Sequence, residues 1–436
     1  MKSLSNNNFL DDIVSSVKYI VKWTLLSVLV GIVVGFAAVI FTGSLNWGIE
    51  LLSGVFATRW VYIMPIIGLF LSGFLTSTFA PEAAGHGTDA IIESYNQDWG
   101  KVDIIVVPVK LIASVFTIAF GGSAGREGPT VQMGGGLGYF IGKNLNLKLT
   151  DIQKIVICGM AASFGAIFTA PIAGGMFGAE VLYMDDAEYK NLFIGFISSI
   201  TAYYIHAVVL NKPSLFTFPI PQDYVFNPQQ DILFFVAVGV FTGLVSLLFI
   251  KSLYGYEHLN EEIRLPDYYK TALGGALTGL TAVIITPQVL GTGISLIEEI
   301  TVNSNFGVGL IFLLMIGKIL ATSFTIGSGG SGGVVAPALT IGALGGAFLA
   351  NILNYPHPFA LVSAVAVGVL GSAAHIPVTT TLLAAELFGI ELIKPATIVC
   401  FIGAWIARSD TLYRETYVSK TEKSKAAHSF TRDEIE

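Results

Sequence analysis

From Ile319 to Ala385 the chain contains no Asp, Glu, Lys or Arg. In an ordinary soluble domain about a quarter of residues are charged, so a stretch of this length has no place on a water-facing surface. Further charge-free runs cover Trp23–Ile49, Trp60–Pro81, Ile232–Ile250 and Thr271–Ile297. The whole chain of 436 residues is 53% hydrophobic and only 12% charged. A helix rises about 1.5 Å per residue, so roughly 20 apolar residues cross the bilayer core. The sequence therefore predicts an all-α, multi-spanning membrane protein whose first partner is the lipid bilayer. Ile319–Ala385 has room for two or three helices.

Glycine interrupts this apolar territory. Of the 48 glycines, many fall in clusters: Gly121-Gly122-Ser123, Gly134-Gly135-Gly136, and the run from Gly327 to Gly333. Glycine weakens helices. Non-helical backbone at membrane depth is tolerated only when buried in protein or lining an aqueous cavity. Discontinuous helices around a polar site near the midplane are expected.

Several function classes find no support. Cys158 and Cys400 sit in apolar surroundings with no metal spacing and no disulfide framework. No HExxH, Gly-x-Ser-x-Gly or Cys/His cluster appears, so no enzyme, metal site, cofactor or nucleic-acid partner is expected. Asp11, Asp12 and Lys18 precede the first apolar run, which argues against a cleavable signal. Lys2, Lys18 and Lys22 flank that run, and Arg408, Arg414, Lys420, Lys423 and Lys425 follow the last. The positive-inside rule then puts both termini in the cytoplasm of a plasma-membrane protein.

The chain also repeats itself. Gly85-His86-Gly87-Thr88-Asp89 is similar to Gly291-Thr292-Gly293-Ile294-Ser295, Gly125-Arg126-Glu127-Gly128-Pro129 aligns with Gly333-Val334-Val335-Ala336-Pro337, and Pro171 and Glu180 align with Pro377 and Glu386. Three landmarks in one order at nearly constant offset indicate duplication. The expected organisation is an N-terminal segment 1–21, a first membrane repeat 22–210, a connection 211–229, a second repeat 230–420 and a tail 421–436. The sequence leaves open whether the repeats are parallel or inverted.

The chemistry concentrates at the second landmark. A glycine break followed by Pro129 suits a helix start, because proline lacks the N–H that a first turn leaves unpaired. Such an N-terminus offers free N–H groups and the positive end of the helix dipole to an anion. Gly333–Pro337 has the same form. Two such ends meeting between the repeats would hold a dehydrated anion without a full positive charge, weakly enough to release it. Glu127 is a carboxylate in an apolar setting and a functional candidate. It either competes with the anion for these N–H groups until protonated, or pairs with Arg126 to hold the loop.

These residues resemble the CLC family of chloride channels and proton-coupled chloride transporters. The resemblance rests on Gly125–Pro129, Val334–Pro337, the Gly85–Asp89 segment, Pro108-Val109-Lys110 and Leu412-Tyr413, and it runs from about residue 20 to 418. It implies a homodimer with one pore per subunit, each subunit an inverted repeat of about eighteen helices, several not fully spanning. It implies that Glu127 is the gating glutamate. His86, Gly125, Arg126, Gly128, Val334, Val335 and Tyr413 would line the anion site.

Three departures from the family pattern matter. His86 stands where a serine is usual, and an imidazole both donates to anions and titrates near neutral pH; the alternative is a ring turned away from the pore. Asp89 stands in place of a proline and is expected to cap or pair, since an exposed carboxylate repels a permeant anion. Val181 occupies the position of the inner proton-relaying glutamate of coupled members and carries no proton. Glu180 and Glu386 are expected to bond backbone N–H groups. Lys110 and Lys318 either raise the potential along the anion route or snorkel to the interface. His375 is expected to pack.

The favoured expectation is a passive chloride channel or uniporter. The second is chloride/proton antiport by a non-standard internal route, with protons as a further partner. The third, transport of another solute, a cation held by Asp89 and Glu93, conflicts with two helix N-termini at the site. Pro129 disfavours fluoride, because the fluoride-exporting branch of the family usually replaces that proline.

Overall fold

The computed structural model describes residues 6–211, 224–302 and 306–419. The tail 421–436 and most of the connection 211–229 lie outside the described residues. The first half comprises α1 (Asn6–Phe56), α2 (Met64–Phe79), α3 (Thr88–Gln97), α4 (Val106–Ala119), α5 (Glu127–Asn144), α6 (Leu149–Phe168), α7 (Pro171–Glu180) and α8 (Leu192–Leu210). The second comprises α9 (Pro228–Glu261), α10 (Asp267–Ile284), α11 (Ile294–Val302), α12 (Val308–Gly327), α13 (Val335–Leu353), α14 (Pro358–Ala373), α15 (Pro377–Phe388) and α16 (Ile393–Ile406).

Sixteen α-helices thus stand among the described residues where about eighteen were expected. Helix α1 begins at Asn6 and runs through the expected boundary at residue 22. Ile319–Ala385 is divided among α12, α13, α14 and α15, more pieces than its length alone indicates. The cause is local: the Gly327–Gly333 run ends α12, and Pro358 and Pro377 start the next helices at positions where a missing N–H costs nothing. For the same reason Thr271–Ile297 is not one span, since α10 stops at Ile284 and a short 3-10 turn at Pro287–Val289 precedes α11. Among the described residues, six helices are long and apolar enough to cross a membrane. Helix α7, at ten residues, extends only about 15 Å and ends within the protein.

The halves are related by a pseudo-two-fold arrangement, visible as contacts that occur twice with the roles exchanged. Gly85 N donates to Gly329 O and Gly291 N to Gly121 O, each at 3.3 Å. Ser114 meets Ser331 at 3.0 Å, and Thr322 meets Ser123 at 2.9 Å. Even the backbone matches: φ is +82° at Gly87 and +84° at Gly293, and +53° at both Thr169 and His375. The fold is an all-helical inverted repeat.

Two pairs of ionisable side chains follow the same symmetry. Lys110 Nζ donates to the carbonyls of Ala83 (3.0 Å) and Gly85 (2.8 Å), and Lys318 Nζ to those of Val289 (3.1 Å) and Gly291 (2.7 Å). Both lysines are fully buried, so neither snorkels. Each holds the loop that precedes a short helix, α3 or α11. Glu180 accepts from Val378 N, Thr379 N and Thr379 Oγ1 at the start of α15, and Glu386 accepts from Ile172 N and Ala173 N at the start of α7. Each carboxylate caps the short helix that carries the other, as expected of backbone-bonding glutamates. Glu180→Ala strands two buried N–H groups and is expected to cost about 2–4 kcal/mol. Thermal unfolding of the purified protein checks this, with Glu180→Gln losing less because its amide oxygen still accepts.

Candidate functional site

The centre of the molecule is a pair of glycines. Gly125 N donates to Gly333 O at 2.7 Å and Gly333 N to Gly125 O at 2.6 Å. This antiparallel bridge ties the two repeats at their equivalent glycines and sets the N-termini of α5 and α13 beside each other. The first intrahelical bond of α13 is Ala338 N to Val334 O, 2.9 Å. The N–H groups of Val334 and Val335 precede it and have no partner within the helix.

Glu127 is the first residue of α5 and is 1% exposed. Its carboxylate reaches across the interface, where Oε2 accepts from Ala336 N at 3.3 Å, at the start of α13. Oε1 is buried without a hydrogen-bond partner. The carboxylate also lies against the N–H groups of Arg126 and Glu127, so one negative group faces both helix ends. No Arg126–Glu127 ion pair within 4 Å occurs among the described residues. Arg126 has its Nε buried and unpartnered, and its charge faces both Glu127 and His206 of α8. The loop-holding alternative for Glu127 therefore has no direct bond to rest on.

Close backbone approach explains the glycines. A Cβ at Gly128 would overlap the carbonyl oxygen of His86 and press on Gly333 Cα. A Cβ at Gly125 would overlap the Glu127 carboxylate. The Gly85–Gly87 loop is thereby packed onto the first turn of α5, which brings His86 to the site.

His86 is buried and turned inward. Its Nε2 faces Asp89 Oδ2 at 3.8 Å, and its Nδ1 has no partner. Its ring lies 5.8 Å from that of Tyr413, centre to centre. Tyr413 is completely buried, with a hydroxyl that makes no hydrogen bond. Its segment is held by Leu412, whose N donates to Ala373 O (2.7 Å) and whose carbonyl accepts from Tyr254 of α9 (2.5 Å). Arg414 stacks on the Tyr254 ring at 3.4 Å. Asp89 pairs, as expected, by accepting from Glu415 N at 3.1 Å, which fastens α3 to the C-terminal segment.

His86, Gly125, Glu127, Gly128, Val334, Val335 and Tyr413 therefore converge, with Arg126 beside them. Val181 does not join them. It ends α7, 1% exposed, where its carbonyl accepts from Thr416 Oγ1 at 3.4 Å. His375 packs against the same C-terminal turn, with Nε2 3.1 Å from Asp410 O. Sequence reading missed Gln132. Its Nε2 donates to Glu82 O at 2.6 Å, and its unpartnered Oε1 lies beneath Gly87 beside Lys110. The signal was its alignment with Thr340, which lies beneath Gly293 beside Lys318. Among the described residues no group of three or more His, Cys, Asp or Glu side chains is placed to hold a metal ion.

A sequence profile of the family described as voltage gated chloride channel matches residues 68–408. The H(+)/Cl(-) exchange transporter ClcA of Vibrio cholerae is 30% identical over 74% of this chain and 71% of its own length. A chloride/fluoride channel protein of Pseudomonas syringae pv. tomato is 28% identical over 93% of this chain and 88% of its own. Among solved structures, a CLC-type fluoride/proton antiporter superposes with a TM-score of 0.83 at 23% identity, covering 92% of this chain and 98% of that one.

Proposed function

Because this chain belongs to the voltage gated chloride channel family, the CLC proteins, and CLC proteins move anions across membranes, we propose that it carries chloride or a similar small anion as a passive channel or uniporter gated by Glu127. The observation that carries this reading is the Glu127 carboxylate, which accepts from Ala336 N at the mouth of two helix N-termini joined through Gly125 and Gly333. Those N–H groups select negative charge. A tethered carboxylate and a free anion compete for them, and protonating Glu127 hands the site to the anion. Val334 and Val335 offer backbone N–H groups, the Tyr413 hydroxyl offers a side-chain donor, and His86 offers one when its ring is protonated. Lys110 and Lys318 add positive potential behind the loops.

Val181 favours uniport over exchange, because no carboxylate stands at the inner proton position. The alternative is chloride/proton antiport through another internal route. The exchange activity in the name of the Vibrio relative favours it. Liposomes loaded with chloride separate the two. Uniport lets chloride run down its gradient with no uphill proton movement, and chloride-driven proton pumping would establish exchange instead. The cation reading fails on charge: helix N-termini repel cations, and Asp89 is engaged by the backbone of Glu415. Pro129 places chloride above fluoride in the expected selectivity. The protein acts as a transporter and not an enzyme, in the plasma membrane, as a homodimer with both termini cytoplasmic.

A further inference from the structure

We propose that His86 and Asp89 form a proton-linked anion contact, in which an anion enters the site next to Tyr413 together with a proton on His86. The proposal rests on the anion-transport reading and adds a regulation to it. Three observations carry it. His86 Nδ1 is buried and unpartnered. The Tyr413 hydroxyl, on a ring 5.8 Å away, is also buried without a close hydrogen bond, with the Thr88 side chain beside it. The opposite ring nitrogen, Nε2, faces the Asp89 carboxylate at 3.8 Å.

That last contact is longer than a hydrogen bond, but its charge biases the polarity of the ring. A carboxylate facing Nε2 draws the single hydrogen of a neutral imidazole to that side. Nδ1 then presents a lone pair to the site, and a lone pair repels an anion. Adding a proton converts Nδ1 into a donor, so that the ring and the Tyr413 hydroxyl both point hydrogens at the same space.

The surrounding charges make the linkage tight. Burial is the largest effect against a proton on His86, and the charges of Lys110 on α4 and Arg414 on the C-terminal segment add to it. Asp89 favours it from α3. Glu415, Glu257 and Tyr254 surround Asp89, with Arg414 stacked on Tyr254. Glu127, across the site, faces Tyr413. With two cations against the proton and one carboxylate for it, the bound anion supplies the balance, and anion and proton arrive together. The proton is exchanged on the side that His86 faces and is not carried across, so the contact makes a uniporter respond to acid on that side.

The test is chloride titration calorimetry on purified Glu127→Gln protein, which removes the carboxyl at the helix ends, between about pH 5 and pH 8, the range in which an imidazole titrates; Asp89, pushed up to about 7 by burial, titrates there too, and the His86 variants separate the two. Repeating it in buffers of different ionisation enthalpy counts the protons. The expected result is uptake of about one proton per chloride at the upper end of the range, with chloride affinity rising about tenfold for each unit of falling pH there. His86→Gln and His86→Ser on the same background should bind chloride with no proton uptake and a flat pH profile. Chloride binding to the Glu127→Gln protein without proton uptake would overturn the proposal alone, as would unchanged uptake in His86→Gln. No chloride binding by either wild type or Glu127→Gln would overturn the anion-transport reading, and this proposal with it.

Discussion

Glu127→Gln is expected to raise chloride flux at neutral pH by at least about tenfold and to remove most of its rise on acidification. The sign follows from competition. In the wild type the carboxylate lies on Ala336 N and against the helix ends of the proposed anion site, and while it carries its charge it excludes the anion. Two unit negative charges about 4 Å apart interact by about 4 kcal/mol at an effective dielectric of 20, which corresponds to roughly three decades in occupancy. Partial charges on the helix ends and water in the pore reduce this to the smaller factor stated. Acid protonates Glu127, so wild-type flux rises as pH falls. Glutamine keeps the shape and loses the charge, so the variant starts high and stays there. Flux from liposomes is read below saturating chloride, where competition for the site shows in the rate, and on a His86→Gln background that keeps affinity changes at His86 out of the pH profile. Equal flux and an unchanged pH profile in the variant would remove Glu127 from gating.

The centre of the site was legible in the sequence because glycine and proline mark backbone breaks that an apolar chain does not otherwise tolerate. Gly125–Pro129 and Gly333–Pro337 announced two helix starts, and α5 and α13 begin there. The repeat was legible for the same reason, since its landmarks are the residues that the backbone geometry requires. The number of helices was less so. A charge-free run shows that a segment avoids water, but not where it breaks, and the division of Ile319–Ala385 depends on turns of a few residues. Cross-half bonds left no local signal. Lys110 was visible as a lysine in an apolar run, yet its role depends on the carbonyls of Ala83 and Gly85 folding back over it. Asp89 was visible as an oddity, and its partner lies at Glu415, near the other end of the chain. In the sequence His86 is divided between a ring facing the pore and one turned away, because the close approach of Gly128 to its carbonyl, which seats the loop, comes from a residue about forty positions on.

That close approach yields the second large effect. Gly128→Ala is expected to reduce chloride flux by about a hundredfold or more while leaving a folded but weakened protein. The added methyl would overlap the carbonyl oxygen of His86, with Gly333 Cα on its other side. Both obstacles are backbone, and neither gives way by rotating a side chain. The Gly85 loop is held by Lys110 and by the bond from Gly332 N to Gly85 O at 3.1 Å. Gly333 is held by its paired bonds to Gly125. Relief therefore moves either His86 or the start of α13, and both belong to the proposed anion site. Overpacking of this kind typically costs about 1–3 kcal/mol, within reach of a thermal-shift measurement. The function suffers more than the stability because a displacement of about 1 Å at a positioned site is worth about a hundredfold in rate. Gly43→Ala is the control: a Cβ there meets nothing within 4 Å, and in mid-helix the change should stabilise by about 0.5–1 kcal/mol without touching flux. If Gly128→Ala conducts like the wild type, the His86 loop is not seated on α5 as described, and the shared site of the two repeats must be drawn without it.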